Sequence, residues 1–123
     1  MSKINIILGD LVLGAELNDS PTAQKVYDSL PLESSFNTWG DEIYFEIPVE
    51  MALESDARDV VQMGDLGYWP SGNAFCIFFG PTPMSSPGEI RPASAVNIIG
   101  QVVGDATQLK GKMGEPMIRL EKK

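Results

Sequence analysis

Gln62–Pro83 reads QMGDLGYWPSGNAFCIFFGPTP, and this run decides the fold. It holds four glycines, three prolines, the pair Tyr68-Trp69, the apolar core Cys76-Ile77-Phe78-Phe79 and a single acid, Asp65. β-branched and aromatic residues suit a pleated surface, while glycine and proline supply the backbone angles of tight turns. The mixture therefore spells strand, turn, strand. Val60 to Met63 and Asn73 to Phe79 read as strands around a Gly-Tyr-Trp-Pro-Ser-Gly turn.

Working outward, Lys3–Leu8 and Leu11–Leu17 are apolar runs separated by Gly9-Asp10, the signature of a two-residue β-hairpin. Asn18-Asp19-Ser20-Pro21 opens a helix, with Ser20 as N-cap and Pro21 at the first helical position. Ala23, Val26, Tyr27 and Leu30 follow on one apolar face until Pro31. Strand character returns from residue 34 and is strongest at Ile43–Ile47 before Pro48. Met84–Ser94 lacks periodicity and reads as a long loop; Val96–Val103 reads as a buried strand, Ala106–Leu109 as a turn or short helix, and Met117–Leu120 as the last strand. The pattern predicts a mainly β single domain over 1–123, a closed or nearly closed β-barrel of about eight strands capped by one α-helix. Closure removes the free strand edges that such apolar segments would otherwise present.

At 123 residues the chain can bury roughly two thirds of its unfolded surface without a disulfide or metal staple. A single cysteine, Cys76, excludes an internal disulfide and fits a reducing compartment. With no membrane-length apolar run and a start (MSKINIILGD) unlike a signal peptide, a soluble cytoplasmic protein is expected. The net charge of −8 argues against nucleic acid as a partner, since phosphate binding needs clustered Lys and Arg. Residues 1–109 carry fifteen acids and four basic residues, whereas 110–123 carry two acids and five basic residues. That tail is read as a solvated edge that neutralises its own domain, an anionic partner being the alternative.

The chain has no histidine, so the commonest general base and zinc ligand are absent. Cys76, inside Ala74-Phe75-Cys76-Ile77-Phe78, is read as a small buried hydrophobe rather than a nucleophile. Eight acids and one basic residue between Asp41 and Asp65 match no calcium loop and read as a solvated acidic face. No phosphate-binding or dinucleotide glycine motif is present. Neither a metal nor a cofactor is expected. Tyr68 and Trp69 either line a ligand groove or plug the barrel end, and Arg91 either anchors a carboxylate or is a plain loop cation.

Three segments carry a resemblance. Asn18–Ala23 opening a helix, Gln62-Met63-Gly64-Asp65-Leu66, and Val96–Val102 resemble, in the same order, segments of the cyclophilins. GDLGYWPSGNAFCIFFGPTP resembles more closely the signature of the small prokaryotic cyclophilin-like proteins, a family mostly uncharacterised in function. The resemblance implies a cyclophilin-like barrel, with Gln62 at a binding position and Phe75 in the place of an aromatic pocket floor. Where cyclophilins carry the arginine that polarises the prolyl amide, Tyr44-Phe45-Glu46-Ile47-Pro48 offers an acid nearby, and the later histidine and tryptophan have no match between Met84 and Val96. An arginine donates to the twisting amide; a glutamate repels the same electron density. The expectation is a small-molecule or peptide binding module without efficient isomerase activity, acting as a monomer or homodimer away from membranes. Its groove would be lined by Gln62, Phe75, Trp69 and Tyr44, with Glu46 and Arg91 as polar determinants. The alternatives are a weak prolyl isomerase using Arg91 or Arg58, and a structural or assembly subunit.

Overall fold

The computed structural model describes residues 1–123. Its strands are β1 (Ser2–Leu8), β2 (Leu11–Leu17), β3 (Leu32–Ser34), β4 (Asn37–Thr38), β5 (Glu42–Glu46), β6 (Asp65–Trp69), β7 (Ala74–Phe78), β8 (Asn97–Val102) and β9 (Ile118–Lys122). All nine join one strongly curled sheet in the order β3-β9-β1-β2-β8-β6-β7-β5-β4. The two ends of that order, β3 and β4, are consecutive in the chain and linked only through Ser35 and Phe36. The expected mainly β architecture is present, as a strongly curled half-barrel sheet of nine strands rather than eight.

The β1–β2 hairpin forms as its turn dictates. Leu8 pairs with Leu11 across Gly9-Asp10, and Gly9 takes the left-handed conformation at φ +59°. Ile4, Ile6 and Leu8 alternate inward and are fully buried. Helix α1 (Pro21–Asp28) starts where the sequence places it: the Ser20 hydroxyl accepts from the Ala23 N–H at 3.2 Å. It stops earlier than Pro31 suggests, because the Ser29 hydroxyl donates to the Val26 carbonyl and closes the last turn. Thr22, Ala23 and Val26 are its buried residues, and the helix packs over β2 and β8.

Two expectations from the 62–83 run need correction. Gly67-Tyr68-Trp69 belongs to β6, and the turn is confined to a single 3-10 turn at Pro70–Gly72, followed by left-handed Asn73 at φ 49°. Val60–Met63 is not a strand; only Val61 bridges, to Ile90. The strand assignment failed there because no neighbouring strand lies alongside to pair with it. The predicted turn or helix near Ala106 is a 3-10 helix, Ala106–Lys112.

Most apolar side chains fill the barrel interior, and a second, smaller cluster of Val61, Ala74, Cys76, Phe78 and Val96 lies on the outside of the sheet. β7 is buried on both faces, which is why its sequence is an unbroken apolar run instead of an alternating one. Polar groups inside are satisfied. Asn97 accepts from the Glu54 N–H and donates to Thr22 Oγ1 and the Ala52 carbonyl, tying the 49–56 segment to helix and sheet. Thr22 also donates to the Glu54 carboxylate, and the Tyr68 hydroxyl donates to the Val49 carbonyl at 2.5 Å. The acidic segment is thus partly structural.

Four of the five basic residues of the tail contact groups of their own domain. Lys110 pairs with Asp41 at 3.6 Å, Lys112 with Asp10, and Arg119 with Glu121, while Lys122 sits 4.7 Å from the Tyr27 ring centre. No helix is long and apolar enough to cross a membrane.

Candidate functional site

Successive strand side chains point to opposite faces. Ile43 and Phe45 of β5, with Ile77 and Phe75 of β7, point into the barrel, which leaves Glu42, Tyr44 and Glu46 outside beside Ala74, Cys76 and Phe78. Trp69, at the end of β6, lies opposite Ala74. Apart from exposed Glu46, these outer residues are covered because the chain from Gly80 to Val96 folds back over them. Val61 bridges to Ile90 and Arg58 to Val96. The Thr82 hydroxyl donates to the Arg91 carbonyl, and Ser85 Oγ accepts from the N–H groups of Thr82 at 2.9 Å and Arg91 at 3.0 Å. Val96 comes down on Gly67, where a Cβ would stand 3.0 Å from Val96 Cγ2. Only glycine lets the cover descend that far without displacement.

Between cover and sheet a cavity of about 240 Å³ stays open, lined by Trp39, Glu42, Tyr44, Trp69, Pro92, Ala93 and Val96. Tyr44 and Trp69 meet edge to face, their centroids 6.5 Å apart and planes at 80°. The Trp69 indole is fixed at both ends. Its Nε1 donates to Ser94 Oγ at 2.6 Å, and its six-membered ring lies over Gly72, where a Cβ would come within 2.8 Å of it. Trp39 is placed by the turn into β5: its N–H donates to the Glu42 carbonyl at 2.9 Å, with Gly40 left-handed at φ +60°.

Glu42 is 6% exposed. Loss of water pushes its carboxyl from the usual 4.5 up to about 7, and the neighbouring Cys76 thiol offsets part of that rise. Burial, followed by the charge of Glu42, lifts the Cys76 thiol well above the ordinary cysteine value. Cys76 is accordingly a buried and unreactive thiol, as its apolar setting in the sequence suggests. A carboxyl that shares a pocket with three aromatic rings and has no cation against it is set up to accept a hydrogen bond or a positive charge. No three His, Cys, Asp or Glu side chains gather in a way that could hold a metal ion.

The six expected groove residues do not converge. Tyr44 and Trp69 meet in the cavity. Phe75 is fully buried inside the barrel, its ring 5.4 Å from that of Phe45, because its position in β7 points inward. Glu46 shares the outer face of β5 but lies at its exposed end, outside the lining. Gln62 is exposed, and borders two other, more polar crevices, one with Val60, Gly88 and Ile90 and one with Asn18, Asp56, Arg58 and Asp65. In the second of these, burial raises the Asp65 carboxyl while its bond from the Gln62 N–H and the charge of Arg58 lower it. Arg91 is held by Glu89 at 2.7 Å and Asp59 at 3.8 Å, and neither Arg91 nor Arg58 lines the aromatic cavity. Trp39, Glu42, Pro92, Ala93 and Val96 escaped the sequence reading. The period-two alternation of β5 places Glu42 on the face of Tyr44, and that was the one available signal.

The family model described as Cyclophilin-like matches residues 2–121. The chain belongs to the cyclophilin-like family. Among solved structures, the hypothetical protein AF2241 from Archaeoglobus fulgidus, determined in solution, is 40% identical with a TM-score of 0.82, covering 99% of this chain and 95% of that one. McbB, solved in complex with tryptophan, has a TM-score of 0.68 at 16% identity, and the match spans 98% of this chain but 44% of McbB. At that identity the likeness to McbB shows the cyclophilin-like fold alone. No curated protein matches the chain. Within the cyclophilin-like fold, the cavity described above occupies the outer face of the sheet formed by β5, β7 and β6, under the long Gly80–Val96 connection.

Proposed function

We propose that this cyclophilin-like chain is a binding module for a small molecule or a single peptide side chain, without efficient isomerase activity. The observation that carries this reading is the open cavity walled by Trp39, Tyr44 and Trp69 on the outer face of the sheet. Aromatic rings left around a cavity, rather than collapsed into the neighbouring core, gain most when a ligand removes them from water. The volume of about 240 Å³ lies below the roughly 300–1,000 Å³ of drug-sized sites. It suits a fragment-sized body. McbB, of the same fold, is known in complex with tryptophan, which makes an amino acid a reasonable first probe.

The reading is tested by a fragment screen in which the indole N–H resonances of Trp39 and Trp69 and the intrinsic fluorescence report binding. Hits are expected to move both indoles and to be weakened at least tenfold by Trp69→Ala. A broad screen, amino acids and short peptides included, in which neither indole responds would remove it.

A further inference from the structure

We infer that the ligand of this pocket is a small organic cation, its ammonium centre held against the Glu42 carboxylate and its carbon body between the rings of Trp39, Tyr44 and Trp69. The inference rests on the pocket reading above and adds the chemical class. The geometry supplies two complementary attractions. Ring faces carry the negative lobe of the aromatic quadrupole and attract a cation placed over them, best for tryptophan, of which the wall contributes two. The one charged side chain in the lining is Glu42, almost fully buried.

No group on the protein competes for that role. From β7 the Cys76 thiol lies beside Glu42 and carries no positive charge. From β6 the lining contributes Trp69, and from the covering segment Pro92, Ala93 and Val96, none of which titrates. On β5 itself Tyr44 follows on the same face and Glu46 stands exposed beyond it. The preceding Asp41 is paired with Lys110. An anion entering here would meet a like charge without a counter-ion. A neutral guest takes the ring contacts and at most a hydrogen bond to Glu42, without the charge attraction. A cation meets both the carboxylate and the ring faces, so it is the guest that the walls and the floor favour together.

Proton linkage gives this inference a signature that shape alone cannot. Because Glu42 titrates near 7 in the free pocket, binding a permanent cation requires the carboxyl to lose its proton. The affinity is expected to rise about tenfold between pH 6 and pH 8, following the ionised fraction of Glu42. Heat of binding measured at pH 6 in buffers of different ionisation enthalpy should show close to one proton released.

Choline and its uncharged isostere 3,3-dimethylbutan-1-ol are suitable probes, since choline has no titration of its own in this range. Choline is expected to bind about tenfold or more tightly than the alcohol at pH 8, and Glu42→Gln to reduce that preference to the part the rings supply and to remove the pH dependence. Equal binding of the two probes by the wild type overturns the cation inference while leaving the pocket reading intact. A choline preference that is undiminished in Glu42→Gln, or that shows no pH dependence in the wild type, overturns the part given to Glu42. Failure of both probes to move the indoles at tens of millimolar overturns the cation inference, and the fragment screen then decides the pocket reading separately.

Discussion

Burial holds the Glu42 carboxyl at about 7 against its usual 4.5, so the folded chain resists ionising it. The favourable contribution is fully present below about pH 4.5 and is lost as pH rises through about 7, opposite in direction to an ion-paired carboxylate. The loss is on the order of 3 kcal/mol across that window. The difference in unfolding free energy between Glu42→Gln and the wild type should therefore grow in favour of the variant from pH 4 to pH 8, as measured by urea titration at several pH values. A flat difference would mean that water reaches the carboxyl. Gly67 carries a second residue-scale consequence. A Cβ there meets both Val96 Cγ2 at 3.0 Å and Phe78 Cε2 at 3.3 Å, so Gly67→Ala has to lift the cover or shift the strand. The expected cost is about 1–3 kcal/mol by chemical denaturation, accompanied by a changed Trp69 emission. An unchanged stability would show that the cover is free to ride up.

At the scale of elements, residues 49–56, between β5 and β6, lie outside every strand pair and bridge and are tied down by side-chain anchors. Asn97, itself buried, serves three of them at once, through the Glu54 N–H, Thr22 Oγ1 and the Ala52 carbonyl. Asn97→Ala leaves those groups short of partners and is expected to cost about 2–3 kcal/mol, with amide exchange in residues 49–56 rising well before that of β1 or β2. Uniform exchange rates would show the segment to be held by its apolar contacts instead. The same elements show what the sequence discloses and why. The hairpin and the helix start were legible because their signals are local: a Gly-Asp turn and a Ser-Pro cap act within four residues. Gly67-Tyr68-Trp69 reads as turn in the sequence because Gly67 looks like punctuation, whereas its missing Cβ answers to Val96, which is distant in the chain. The resemblance points to Glu46, near the place of the cyclophilin arginine, whereas the cavity takes Glu42. Both lie on one face of β5, and only the folded cover decides which of them is buried.

For the whole molecule, the cyclophilin-like architecture came through clearly in the 62–83 run, while the position of the site within it depended on long-range packing. The arginine question belongs at this scale too. Arg91 is committed to Glu89 and Asp59, and Arg58 faces a different crevice from the aromatic one. A proline-containing test peptide is therefore expected to isomerise at its uncatalysed rate even at high protein concentration. Acceleration that vanishes in Arg91→Ala or Arg58→Ala would reverse this. The seam between β3 and β4 has its own mechanical meaning. Everywhere else around the barrel, neighbouring strands are laced by backbone hydrogen bonds; at the seam the two rims are joined only by the covalent run from Ser34 to Asn37. Such a run acts as a leash, limiting the rims to roughly 11 Å of separation at that point. Parting the rims there would break no ladder bond, though Leu32 and Phe36 would have to leave the core, and the leash keeps the sheet from unrolling at that point.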